Sequence, residues 1–114
     1  MLVYISGAIT NNTNYSEDFQ KAEDWLVKNN HEAINVAKIM RQVPQLKYEQ
    51  YMKIDYALIE VSDAVFMLDG WQKSKGACAE LSYAKALKKK VLYQDYFKEF
   101  RNAKSRNDNL CNDD

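Results

Sequence analysis

The sequence predicts an α/β fold in which helices cover a parallel β-sheet. Short β-prone runs alternate with segments of helical periodicity, and one of these runs is apolar throughout. A continuous apolar run is typical of a strand that is buried on both faces, as in parallel sheets. The 114 residues suffice for one shared core but not for two. We therefore expect one domain over residues 1–100 and a polar C-terminal tail over residues 101–114.

The first half of the chain predicts two strands and one helix. Residues 2–5 form a β-prone run that ends at a polar loop. Ser16 is a candidate N-cap for the first helix, whose apolar residues recur at helical spacing as far as Asn29. Residues 33–36 predict the second strand. The segment after it contains Pro44, the only proline, and is expected to be a loop or broken turn.

The second half predicts two further helices and two further strands. Residues 48–61 place apolar side chains at three- and four-residue steps, and Asp55 lies in the middle of that side. Residues 64–68 are the continuous apolar run and predict the central strand. Ser74 is a candidate N-cap for the third predicted helix, and residues 91–93 predict the last strand.

This alternation implies right-handed crossovers and a flavodoxin-like (Rossmann-like) three-layer sandwich with a parallel sheet. We expect the strand order 2-1-3-4. In that order, the loops after Ile5 and after Leu68 open a crevice at the carboxyl ends of the strands, where α/β sheets bind ligands.

Charge and hydropathy exclude several classes of partner. The chain has 16 basic and 16 acidic side chains and a formal net charge of zero, whereas binding to a nucleic-acid polymer normally requires a basic face. No run of about 18 apolar residues would span a bilayer, and the N-terminal residues lack a basic segment. We expect a cytoplasmic protein that does not bind membranes. Glycine-rich nucleotide fingerprints and clustered metal ligands are absent from the sequence, so no cofactor is expected.

Glu80 and Asp55 are the candidate catalytic carboxylates. Glu80 falls near the start of the third predicted helix, where the helix dipole stabilises a carboxylate by about 0.3–1 kcal/mol and keeps it ionised for attack. An acidic residue there is also ordinary helix decoration. Asp55 has apolar neighbours, so it requires either a structural partner or a polar cavity. Two carboxylates in one crevice suit chemistry at a sugar carbon, where one attacks and the other assists the leaving group.

Several further positions are candidates for supporting roles. The hydroxyl of Tyr4 is placed to hydrogen-bond the nucleophile, although a core aromatic is the alternative interpretation. Trp71 is placed to stack on a base or close the pocket, or else it is an ordinary loop aromatic. Ser74, Lys75 and the free amides near Gly76 are suited to cradle one phosphate at a helix N-terminus.

Three strings in the sequence carry a family resemblance. They are Tyr4-Ile5-Ser6-Gly7-Ala8-Ile9-Thr10, the stretch from Tyr51 through Asp55 to Asp63, and Asp69-Gly70-Trp71-x-x-Ser74-x-Gly76-Ala77-x-x-Glu80. Together they resemble a family of small bacterial and phage proteins that is similar to the nucleoside 2-deoxyribosyltransferases and the 2'-deoxynucleoside 5'-phosphate N-hydrolases. The similarity covers residues 2–93.

The resemblance implies a covalent mechanism on a small-molecule nucleoside or nucleotide. Glu80 matches the family nucleophile, Asp55 the aspartate that contacts the sugar and assists the leaving base, and Tyr4 the tyrosine that orients the glutamate. Ser74 falls near a serine that binds the 5'-phosphate in the hydrolases. The expected substrate-binding residues are Gly7, Asp69, Gly70, Trp71, Ser74 and Gly76.

We therefore expect an enzyme that cleaves or exchanges the N-glycosidic bond of a 2'-deoxynucleoside or its 5'-monophosphate. A non-catalytic module that binds or senses a nucleotide is the alternative. Ala8 stands where the small-protein family usually has proline, which predicts a modest change in loop stiffness. Because so short a chain forms a shallow crevice, we also expect a homo-oligomer in which a neighbouring subunit completes the site.

Overall fold

The computed structural model describes residues 1–97, which form a four-stranded sheet packed between helices. The strands are β1 (Leu2–Ser6), β2 (Glu32–Asn35), β3 (Ala64–Met67) and β4 (Lys90–Tyr93), and the helices are α1 (Tyr15–Lys28), α2 (Val36–Gln42), α3 (Tyr48–Val61) and α4 (Lys75–Ala86). The strand order is β2-β1-β3-β4, and every neighbouring pair is parallel. The predicted flavodoxin-like α/β fold and its strand order are confirmed.

The inner strand β1 contacts helices on both faces of the sheet. Tyr4 of β1 donates a hydrogen bond to Glu80 of α4, so this side chain faces α4. The next residue, Ile5, points to the opposite face because side chains alternate along a strand. Its neighbour in register is Phe66, whose ring stacks on Trp25 of α1 with centroids 5.9 Å apart. Helices α1 and α4 therefore cover opposite faces, which gives the three-layer arrangement.

Helix α1 begins earlier than the sequence predicts. Its N-cap is Asn14, and Ser16 lies inside the helix, where its Oγ accepts a hydrogen bond from Arg41. Asn12 organises the preceding turn, because its Oδ1 accepts from the Asn14 backbone amide and its Nδ2 donates to Asp18. The prediction of Ser16 as the N-cap is wrong, because the turn that Asn12 stabilises places the start of the helix at Tyr15.

The segment after β2 is helical where a loop was expected. Asn35 caps α2 through its side-chain Oδ1, which accepts from the Ala37 amide at 3.1 Å. With seven residues, α2 is too short to give a clear helical period, and Pro44 follows soon after it. The strand before it, predicted as residues 33–36, is observed one residue earlier.

The elements that frame the crevice lie where they were predicted. Helix α3 spans the predicted residues 48–61, and Ser74 is the N-cap of α4. Within residues 1–97, no helix is both long enough and apolar enough to cross a membrane. The predicted polar tail, residues 101–114, lies outside the described residues.

Candidate functional site

The loop between β3 and α4 determines where Glu80 lies. Gly70 adopts a left-handed backbone conformation with φ of 86°, which glycine tolerates without strain, and residues 71–73 then form one 3₁₀ turn. Ser74 ends that turn and caps α4, because its Oγ accepts from the Ala77 amide at 3.1 Å. The cap fixes the start of α4, so Glu80 in the second turn of the helix points towards β1.

Two hydroxyl groups from β1 bind the two carboxyl oxygens of Glu80. The Ser6 hydroxyl donates to Oε1 at 2.6 Å, and the Tyr4 hydroxyl donates to Oε2 at 3.1 Å. Glu80 is 6% exposed, and both β1 side chains are fully buried. The carboxyl group is therefore held in one rotamer by donors on both of its oxygens.

The sequence pattern did not identify Ser6 as a site residue. It lies two positions after Tyr4 on the same strand, and side chains two residues apart point to the same face of a sheet. Once Tyr4 was expected to contact the nucleophile, this alternation was the signal that would have identified Ser6.

Asp55 brings a second buried carboxyl group to the same place from α3. It is 5% exposed, and its Oδ1 has no hydrogen-bond partner among residues 1–97. Burial raises the pKa of Asp55. Burial, followed by hydrogen bonding and charge repulsion from Asp55, raises the pKa of Glu80 well above its usual range. The hydrogen bonds from Ser6 and Tyr4 oppose this shift but do not cancel it.

The two carboxyl groups titrate as one coupled pair. Two buried like charges in contact are not both stable, so the pair retains a proton over a wider pH range than an exposed carboxyl group. Glu80 accepts two hydroxyl donors, whereas Oδ1 of Asp55 accepts none from the described residues. The contact between the two carboxyl groups favours the proton on Glu80, because it raises the pKa of Glu80 and lowers that of Asp55, whereas the Ser6 and Tyr4 hydroxyls stabilise the Glu80 anion.

Both carboxyl groups line a cleft of about 270 Å³ at the carboxyl end of β1. The remaining polar side chains in its lining are those of Thr10, Ser74 and two tyrosines, and Gly7, Gly76 and Ala77 complete the wall beside them. Its apolar and aromatic wall is formed by Ile9, Val36, Met40, Tyr48, Tyr51 and Met52. The cleft thus presents a small charged end and a larger apolar wall, an arrangement typical of sites for small organic molecules.

The two glycines that line the cleft, Gly7 and Gly76, differ in how closely other residues pack against them. A Cβ on Gly7 would lie 2.8 Å from Cδ1 and 2.9 Å from Cβ of Leu68, so Gly7 permits the close packing of the loop after β1. A Cβ on Gly76 would meet Sδ of Met52 at 3.7 Å, which is ordinary contact. Gly76 therefore leaves space in the cleft that a larger side chain would fill.

Three of the predicted substrate-binding residues do not line this cleft. Trp71 is 2% exposed and packs against Tyr93 with ring centroids 6.1 Å apart, so it belongs to the core. Its neighbours Asp69 and Gly70 form the turn that leads to it, and the Asp69 amide donates to Gln94. The roles of these three residues in binding stay predictions.

The aromatic side chains in the cleft come from α3 instead. Tyr48, Tyr51 and Met52 lie three to seven residues before Asp55, so the helical period places them on its side of the helix. Tyr48 is 43% exposed at the mouth of the cleft, with Nζ of Lys75 located 5.0 Å from its ring centroid. The period of this helix was visible in the sequence and was a sufficient signal for all three residues.

No group of three or more His, Cys, Asp or Glu side chains within the described part of the chain is arranged to hold a metal ion.

The comparisons with known proteins add a family but no activity. No curated protein and no solved structure matches the chain. Residues 1–93, which contain the whole sheet and every residue of the cleft, match the model of a domain of unknown function, DUF4406. The chain therefore belongs to the DUF4406 family.

Proposed function

We propose that this protein cleaves or exchanges the N-glycosidic bond of a 2'-deoxynucleoside or its 5'-monophosphate. The observation that supports the proposal most is the meeting of two buried carboxyl groups, Glu80 from α4 and Asp55 from α3, in one cleft. The Tyr4 hydroxyl bound to Glu80 adds the orienting contact that such chemistry requires.

In the proposed reaction, a carboxylate oxygen of Glu80 attacks C1' of the sugar. A C–O bond forms, the C1'–N bond breaks, and its electron pair leaves with the base. The proton held by Asp55 neutralises the departing base. In the second step, water or a second base attacks C1', the ester bond breaks, and Glu80 is released as a carboxylate. Asp55 takes up the proton that the incoming nucleophile loses.

In this mechanism one carboxyl group is the nucleophile and the other is the acid. The nucleophile must be ionised and the acid must be protonated before the first step. The two hydroxyl groups that donate to Glu80 stabilise its anion, and the reactive state of the pair in this mechanism has the charge on Glu80 and the proton on Asp55. One proton shared by the two groups thus supplies both chemical roles.

The walls of the cleft suit the two ends of a nucleotide. Tyr48 and Tyr51 offer aromatic surface for a base, together with apolar contacts from Met52. Ser74 and the first-turn amides of α4 lie at the cleft, and Lys75 supplies a cation at its mouth. Since helix N-termini favour anions, these groups support a 5'-phosphate on the substrate.

A mass measurement tests both the chemistry and the residue. After incubation with a slowly reacting fluorinated deoxynucleoside, intact mass should increase by one sugar, and peptide mapping should place the sugar on Glu80. Glu80→Gln should form no adduct and release no base. Glu60→Gln is the matched control, because it changes an exposed carboxylate on α3 that does not line the cleft. If the wild type releases no base from a panel of deoxynucleosides and deoxynucleotides, the proposal is wrong.

A nucleotide-binding module without turnover is the second candidate. The observation that favours it is the raised pKa of Glu80, because a protonated carboxyl group donates a hydrogen bond to a ligand and does not attack it. Tight nucleotide binding that persists in Glu80→Gln, with no base released on prolonged incubation, would support this candidate over the enzyme.

We further propose that a second subunit completes the cleft. Tyr48 is 43% exposed at its mouth and Val43 of the adjoining loop is 38% exposed, so the rim is open and partly apolar. Light scattering should give a mass larger than one chain, and charge reversal at exposed Glu49, beside Tyr48 on α3, should shift it towards the monomer. A monomer with full activity would contradict the proposal.

A further inference from the structure

We propose that Ser6 makes Glu80 the attacking carboxyl group: its hydroxyl donates to Glu80 and so biases the negative charge of the pair towards Glu80. This inference rests on the proposed function. It assigns Ser6 the part of a positioning residue, since the side chain acts on the substrate only through Glu80.

The contact between Ser6 and Glu80 is short and fully enclosed. The Oγ–Oε1 distance of 2.6 Å falls in the range of charge-assisted O–H···O⁻ hydrogen bonds, which are about twice as strong as neutral ones. Ser6 is 0% exposed, so no water competes for its hydroxyl. A hydroxyl buried at this depth is costly unless it is hydrogen-bonded, and Glu80 accepts its hydrogen bond.

Ser6 distinguishes the two carboxyl groups more sharply than Tyr4 does. The Tyr4 hydroxyl lies near both of them and lowers the pKa of Asp55 as well as that of Glu80. Ser6 lowers the pKa of Glu80 alone. Loss of the Tyr4 hydroxyl would therefore weaken both anions, whereas loss of the Ser6 hydroxyl would move the balance of charge from Glu80 towards Asp55.

The other titratable groups around the pair do not supply this asymmetry. They are Tyr4 of β1 and Tyr48 and Tyr56 of α3, tyrosines whose pKa is raised mainly by burial. The two carboxyl groups raise the pKa of all three further, and for Tyr48 the nearby Tyr56 contributes before them. All three are neutral at physiological pH. In the described part of the chain, no cation contributes to the pKa of Glu80 or Asp55. The charge distribution therefore depends on the contact between the two carboxyl groups, which raises the pKa of Glu80, and on the hydroxyl donors, of which Ser6 opposes that effect at Glu80.

Ser6 does not line the cleft, which separates its effect from substrate binding. In Ser6→Ala, the proton should move towards Glu80, and the fraction of molecules with an ionised nucleophile should fall. We expect kcat near neutral pH to fall by about tenfold to a hundredfold, the effect of one hydrogen bond to a charged group, while KM changes by less than about twofold. The acidic limb of the pH profile should move to higher pH.

The decisive experiment follows the carboxyl ¹³C resonances of Glu80 and Asp55 through a pH titration in the absence of substrate. In Ser6→Ala, the Glu80 resonance should titrate at higher pH than in the wild type, and the Asp55 resonance at lower pH. Ser6→Cys keeps the size of the side chain with a weaker donor and should give an intermediate titration. Ser62→Ala is the matched control, because it removes another buried serine hydroxyl, one that donates to the Leu58 carbonyl.

Unchanged titrations of both carboxyl groups in Ser6→Ala and Ser6→Cys would overturn the inference, even if the wild type is an active enzyme. An inactive wild type that forms no sugar adduct would overturn the proposed function instead. In that case, the ¹³C titration would still decide whether Ser6 sets the charge distribution of the pair.

Discussion

Replacing Glu80 with glutamine should stabilise the protein increasingly as the pH rises. The folded-state pKa of Glu80 is raised above the ordinary value of 4.5, mainly by burial. A carboxyl group of this kind favours folding most strongly below its unfolded pKa, and that contribution is lost as the pH rises through the folded pKa. Glutamine is close in shape and does not ionise, so the variant lacks this loss.

The magnitude follows from the number of protons involved. Between the two pKa values of Glu80, the folded wild type holds about one proton more than the unfolded chain, which gives a limiting slope of about 1.4 kcal/mol per pH unit. The free energy of unfolding of Glu80→Gln should therefore exceed that of the wild type by an amount that grows at up to this slope above pH 4.5.

Urea unfolding at a series of pH values from about 4 to about 8 measures this difference directly. Glu17→Gln, which removes an exposed carboxylate in the first turn of α1, controls for the general effect of the substitution. Parallel stability curves for the wild type and Glu80→Gln over the whole range would refute the reasoning, because they would mean that Glu80 ionises as easily in the fold as in the unfolded chain.

Substitutions at three further positions test the framework of the site by urea unfolding. Gly7→Ala should destabilise the fold by about 1–3 kcal/mol, because the added Cβ would lie 2.8 Å from Leu68; a neutral result would contradict the close packing. Ser74→Ala should cost about 0.5–2 kcal/mol through loss of the α4 cap, and Ser74→Asp should recover most of it. Trp71→Ala should cost about 3–5 kcal/mol, and a variant as stable as the wild type would show that Trp71 is not a core residue.

The elements with strong local signals were predictable from the sequence. Helix α3 was predicted at its observed ends, because its apolar residues recur at helical steps between polar flanks. The start of α4 was predicted because Ser74 is a strong N-cap residue. Helix α2 was missed because seven residues hold fewer than about two turns, too few to distinguish a helix from a loop.

The sequence was enough to predict the two carboxyl groups that line the cleft, but not all of the residues around them. Helical period and sheet topology were enough to bring Glu80 and Asp55 to one crevice. The orientation of Trp71 could not be predicted in this way, because it depends on the left-handed turn at Gly70, which directs the indole into the core. Residue type alone suggested a ligand contact for Trp71, and only the backbone path shows that the ring is buried.

One atom in the buried polar cluster of Tyr4, Ser6, Asp55 and Glu80 has no hydrogen-bond partner among the described residues, and this atom links protein stability to ligand binding. Among residues 1–97, Oδ1 of Asp55 is buried without a hydrogen-bond partner, at a position that lines the cleft. An unsatisfied buried acceptor costs about 1–3 kcal/mol, which a ligand hydroxyl or amine donating to it would offset. Such a ligand binds the folded state only and therefore raises the unfolding midpoint. In Asp55→Leu, which removes the acceptor, the protein without ligand should be as stable as the wild type or more so, whereas the stabilisation by ligand should disappear. If Asp55→Leu is less stable than the wild type but is still stabilised by ligand, then Asp55 has a structural role and does not contact the ligand.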